Sequence, residues 1–109
     1  MTTIANNLQQ VLGRMAQACK AVGRDPASVS LLAVSKTFGA DAVLEAVAAG
    51  QRDFGENYIQ EGVDKIAAVR AALPDVALQW HCVGPIPSHT PRLVAAHFEW
   101  VHKVDRIKM

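Results

Sequence analysis

Apolar residues recur every three or four positions at the start of the chain: Ile4, Leu8, Val11, Leu12, Met15, Cys19 and Val22. That spacing predicts one helix face, and Gly23 supplies a stop. Residues 24–28, "RDPAS", have loop chemistry. The pattern then changes to a short apolar run, "VSLLAVSK" (residues 29–36), rich in leucine and β-branched residues, which predicts a strand. Asp41 stands where it can cap a second helix with an apolar stripe of Leu44, Val47 and Ala48, ending at Gly50.

"RDFGENY" (residues 52–58) predicts a strand that breaks at Gly55, before a helix carrying Ile59, Val63, Ile66, Val69 and Leu73, with Pro74 just past its end. "ALQWHCVGP" (residues 77–85) predicts a third strand. Thr90 and Pro91 start the helix "RLVAAHF", because proline at the first helical position gives up only an N–H that has no partner there. "EWVHKVD" (residues 99–105) predicts a fourth strand, and "RIKM" the opening of another helix.

The order is therefore one helix, then β-α-β-α-β-α-β with short connections, which implies parallel strands joined by right-handed crossovers. Two α/β architectures satisfy it: an open doubly wound sheet, or about four βα units of a (β/α)8 TIM-type barrel preceded by a helix. A full barrel takes about 250 residues, so the second option makes residues 1–109 a single incomplete domain.

Composition narrows the function classes. Half of the residues are hydrophobic and 19% are charged, as in a globular domain. A net charge of +1 gives no electrostatic reason to expect nucleic acid or an anionic membrane as partner. "MTTIANNLQQ" lacks the basic and apolar regions of a secretory leader, and no apolar stretch approaches the ~20 residues of a membrane span. Cys19 and Cys82 are far apart and suit free thiols, so a cytoplasmic protein is expected. The four histidines lack metal-site spacing, and the phosphate-loop, dinucleotide and serine-hydrolase motifs are absent.

Parallel α/β architectures bind ligands beyond the carboxyl ends of their strands. Here those ends carry Lys36, then Glu56 and Asn57, then His81 and Gly84, then Asp105. Alternation puts Leu32, Val34 and Lys36 on one strand face. If that face is core, Lys36 sits at the rim of an apolar interior, where desolvation lowers an amine's pKa and makes it nucleophilic toward an aldehyde. A lysine snorkelling to water satisfies the same pattern. Asn57 could contact a ligand or cap the following helix with Gln60 in a capping box, and the spacing argues more strongly for the cap. His81, alone beside Trp80, suits a structural role as well as a ligand contact.

Taken together, "LLAVSKT" (31–37), "FGENYIQEGVDKI" (54–66), "WHCVGPI" (80–86) and "FEWVHKVDRIK" (98–108) resemble the pyridoxal phosphate homeostasis protein family, whose barrel is shared with the N-terminal domain of alanine racemase. The blocks keep the family's order and spacing over essentially the whole chain. The resemblance implies a (β/α)8 barrel in which Lys36 forms a Schiff base with pyridoxal 5′-phosphate, Asn57 lies beside the cofactor and His81 is near the same mouth. It implies a carrier role in vitamin B6 and amino-acid balance rather than classical catalysis.

The chain departs from the family twice. Pro87, His89 and Thr90 stand where the family has glutamine, asparagine and lysine. The chain also stops after its fourth strand, where a family member continues for roughly as much again. A half-barrel exposes two parallel edges and one sheet face, so self-association or pairing with a complementary second half is expected. Two other readings stay open. One is a truncated remnant without tight cofactor binding. The other is an alanine-racemase-like enzyme, which needs an acid/base opposite Lys36; Tyr58 is the one tyrosine.

Overall fold

The computed structural model describes residues 3–84 and 91–102. Helix α1 spans Thr3–Ala21, and a 3₁₀ turn at Pro26–Ser28 leads into β1 (Ala33–Val34), α2 (Ala40–Ala48), β2 (Asp53–Glu56), α3 (Ile59–Ala72), β3 (Gln79–Cys82), α4 (Pro91–His97) and β4 (Trp100–Val101). Gly23 and Gly50, just past α1 and α2, take φ of 71° and 106°, the left-handed conformation that turns a chain out of a helix.

All the strands are parallel and lie in chain order, β1-β2-β3-β4. This order decides between the two architectures. A doubly wound sheet reverses direction part-way and carries helices on both faces. Sequential order with one crossover hand puts every helix on the same face, as in a (β/α)8 barrel. The described strands thus form about half of such a barrel wall.

The core lies between the sheet and its helices. Phe54, Trp80 and Cys82 point to that side and pack with Val43, Val47, Ile66, Val69, Val94 and Phe98. The Phe54 and Trp80 rings sit 5.4 Å apart and tilted. α1 contributes less than its stripe predicts: Ile4 and Leu8 pack against this core and Cys19 is buried, whereas Val11, Leu12 and Val22 are exposed. On α2 the buried positions are Val43, Ala46 and Val47, while Leu44 is partly buried and Ala48 exposed, a rotation of the predicted face.

Three predicted boundaries shift for identifiable reasons. β1 is shorter than residues 29–36, because Gln51 Nε2 donates to the carbonyls of Leu31 (2.7 Å) and Asp53 (2.8 Å), so a side chain ties this segment to its neighbour. β2 continues through Gly55 instead of breaking there: a Cβ at Gly55 would already touch Val83 at 3.3 Å and Leu32 and Val34 at 3.5 Å, so glycine suits the strand by leaving room for its neighbours. α2 starts after Gly39, which takes the cap position assigned to Asp41. The expected strand end at Asp105, the "RIKM" segment, and Pro87, His89 and Thr90 lie outside the described residues. Among the described residues no helix is long and apolar enough to cross a membrane.

Candidate functional site

The sheet face opposite the helices is set by the pleat. Val34, Gly55, His81 and Trp100 are in register across the four strands, so their side chains share that face. Gly55 adds no side chain at its centre and is covered by Leu32, Val34 and Val83. The face is open: Val34 is 50% exposed and Trp100 55%.

His81 is held on this face from both ring nitrogens. Nε2 lies 3.1 Å from Asp53 Oδ1, and Nδ1 lies 2.8 Å from His102 Nε2. A carboxylate only accepts, so Nε2 donates to Asp53, while Nδ1 and His102 Nε2 share one hydrogen between them. The imidazole also stacks on the rings of His102 and Trp100, and Trp100 Nε1 donates to Gln79 Oε1 at 3.0 Å. Asn57 follows β2 and is half-buried. Its side chain lies against Gly84, where a Cβ would overlap Asn57 Oδ1. Asn57 is not the cap of α3. Tyr58 takes that position without a side-chain bond, and Gln60 Nε2 donates to Asp64 Oδ1 at 3.1 Å, so no capping box forms.

Lys36 lies in the turn after β1 and is exposed, so the apolar enclosure expected from strand alternation is absent among the described residues. The turn is closed by the Phe38 N–H donating to the Ser35 carbonyl at 3.1 Å. Thr37, at its third position, has φ of 67°. A type II turn requires positive φ there and usually has glycine; a β-branched residue is a genuine outlier, costing about 1–2 kcal/mol.

Glu56 corrects the strand-end reading. It sits on the helix side of the sheet, 1% exposed, rather than with the open-face residues. Lys65 Nζ from α3 lies 3.0 Å from each Glu56 carboxylate oxygen and 3.3 Å from Glu61 Oε1, and it donates to the Ser35 carbonyl at 2.6 Å. Ser35 Oγ donates to Glu56 Oε2. Glu61 Oε1 accepts the Thr37 N–H at 2.8 Å. Sequence reasoning missed this cluster, although two signals were present: Glu56 alternates with the apolar Phe54, and Lys65 falls on the same helical stripe as Ile59, Gly62, Ile66 and Val69.

An apolar crevice of about 150 Å³ between α1, β1 and α2, lined by residues such as Ile4, Leu8 and Val43, reaches Ser35 and Phe38 on either side of the Lys36 turn.

Comparison with known proteins bears on this arrangement. No protein-family model matches the chain. A pyridoxal phosphate homeostasis protein of Pseudomonas aeruginosa is 56% identical over 109 residues, all of this chain and 46% of that protein. The chain resembles pyridoxal phosphate homeostasis proteins from end to end. The Escherichia coli protein of that name is 50% identical, again over 100% of this chain and 46% of its own length. The chain thus spans about half the length of these curated relatives. Among solved structures, PipY of Synechococcus elongatus with pyridoxal phosphate bound matches with a TM-score of 0.69 and 43% identity, over 85% of this chain and 42% of that one. An unknown protein from Bifidobacterium adolescentis superposes with a TM-score of 0.87 at 29% identity, over 95% of this chain and 45% of that one. The half-barrel therefore has pyridoxal phosphate homeostasis protein sequence relatives and a structural neighbour solved with the cofactor.

Proposed function

We propose that residues 1–109 form part of a pyridoxal 5′-phosphate site in which Lys36 holds the cofactor through its side-chain amine and Asn57 and His81 lie beside it. The role is to bind and buffer the cofactor, without turnover of a substrate. The observation that carries the reading is the exposed Lys36 at the carboxyl end of β1, next to a strand whose Gly55 adds no side chain to this face and whose neighbour presents His81. The donor set suits the group: a free amine for its aldehyde and an amide for a polar ring substituent, with the imidazole, both its nitrogens already engaged, as an oriented neighbour of the ring. When bound, the cofactor supplies an aldehyde that an amine captures reversibly.

The chain's own residues have distinct tasks. Gly55, flanked by Leu32, Val34 and Val83, provides an apolar floor. Asp53 and His102 hold His81 in one orientation. Gly84 admits the Asn57 amide. In (β/α)8 barrels a phosphate sits on the loops after the later strands, so in this reading the present half holds the aldehyde end. A racemase-type reaction has less support, because Tyr58 is 52% exposed at the head of α3 and has no catalytic partner among the described residues.

The test is to mix the purified chain with pyridoxal 5′-phosphate, record the visible spectrum, reduce with borohydride and map the labelled peptides, with Lys36→Ala alongside. Label on Lys36, lost in the variant, supports the proposal. Label spread over Lys20, Lys103 and Lys108 as readily as over Lys36 overturns it and favours a remnant without a working site. Deuterium entering the α-position of an amino acid in heavy water would instead favour an enzyme.

A further inference from the structure

Lys36 is flanked by two peptide groups, and one ion-pair cluster, buried at Lys65 and Glu56 and half-exposed at Glu61, grips both. The carbonyl of the preceding peptide, from Ser35, accepts from Lys65 Nζ at 2.6 Å. The N–H of the following peptide, from Thr37, donates to Glu61 Oε1 at 2.8 Å. The relative orientation of these two peptide planes is the backbone conformation of Lys36 itself. Lys65 and Glu61 are joined to each other at 3.3 Å, and Lys65 is anchored by both oxygens of the fully buried Glu56.

The grip coincides with the conformation that most needs holding. Thr37 has φ of 67°, which a β-branched residue does not adopt unaided. Lys36, Thr37 and Phe38 are all exposed, and Phe38 only lines the rim of the apolar crevice. Of the contacts described for Thr37, the charge-assisted bond to Glu61 is the one that acts directly on its backbone.

We propose that Glu61, Lys65 and Glu56 are positioning residues for Lys36, clamping the peptide on either side of it so that the strained turn presents the amine at the strand end. The proposal rests on the cofactor reading above for its functional meaning, while the clamp itself is independent of any ligand.

The experiment uses Glu61→Ala, Thr37→Gly and the double variant in the full chain, with two readouts. Hydrogen exchange at the Thr37 amide reports the clamp without cofactor. It should be protected in the unaltered chain and exchange roughly ten-fold faster in Glu61→Ala. The rate of borohydride-trapped pyridoxal phosphate label on Lys36, relative to Lys20, reports the presentation. That ratio should fall by roughly ten-fold in Glu61→Ala and recover in the double variant, since glycine takes positive φ without being held. General loss of structure would not be rescued by a glycine, so failure of rescue overturns the positioning role. An unprotected Thr37 amide in the unaltered chain overturns the clamp. If Lys36 is labelled no faster than Lys20 while Thr37 stays protected, the cofactor reading fails, and with it the functional meaning of an intact clamp.

Discussion

Lys65 and Glu56 form a buried ion pair, with Nζ 3.0 Å from both carboxylate oxygens and the side chains 4% and 0% exposed. The pair joins α3 to the end of β2, and through the Ser35 carbonyl it also reaches the end of β1. A pair this deep is neutralised and hydrogen-bonded, so its cost shows mainly when it is broken from one side.

Lys65→Met should therefore destabilise the chain by about 3–5 kcal/mol, because it leaves the Glu56 charge buried without its partner. Glu56→Leu combined with Lys65→Met should recover a good part of that loss. Urea denaturation of the single and double variants measures both. Additive losses would show that the two side chains do not act as a pair.

Gly84→Ala separates stability from site geometry. The added Cβ would overlap Asn57 Oδ1 and stand 3.0 Å from the Asn57 carbonyl. The amide end can swing away, so the expected stability loss is only about 1 kcal/mol. The Asn57 amide, however, would be displaced from its place against Gly84. Pyridoxal phosphate labelling of Lys36 should weaken under conditions where the variant stays folded, with the denaturation midpoint falling only as far as that loss requires, and unchanged labelling would remove Asn57 from the site.

Gly62→Ala sets helix propensity against packing. Alanine favours a helix interior by about 1 kcal/mol over glycine, but its Cβ would meet Phe98 Cζ at 3.0 Å and Glu56 Cβ at 3.1 Å. Overpacking of that kind costs about 1–3 kcal/mol, and both neighbours are buried. The variant should be destabilised overall, and less so with Phe98→Leu. Thermal unfolding of the two backgrounds gives the comparison.

Cys82 should be silent toward thiol reagents in the folded state. Burial pushes its pKa above the ordinary thiol value, outweighing an opposing effect of the Gly84 backbone. The folded state then holds this proton more tightly than the unfolded chain. The resulting stability is fully present below the unfolded thiol pKa of about 8.5 and is lost as pH rises through the raised folded value. Cys19 is buried too. A thiol-reactive dye should titrate neither cysteine at neutral pH without denaturant, and both with it.

The alternation of elements and the residues that carry the family resemblance were legible in the chain, because periodicity and turn chemistry are local. Ile59, Ile66 and Val69 mark α3 by spacing alone, and Lys36, Asn57 and His81 stand out as polar groups near strand ends. Strand order was not local: parallel crossovers permit either a reversed or a sequential sheet, and only the observed pairing selects the barrel wall. The partners of charged residues were equally hidden. Glu56 read as a strand-end residue of the ligand face until the packing of α3 on β2 pairs it with Lys65, nine residues away in sequence. Long-range contacts of this kind depend on which faces meet, and a sequence pattern fixes a face's polarity but not its neighbour.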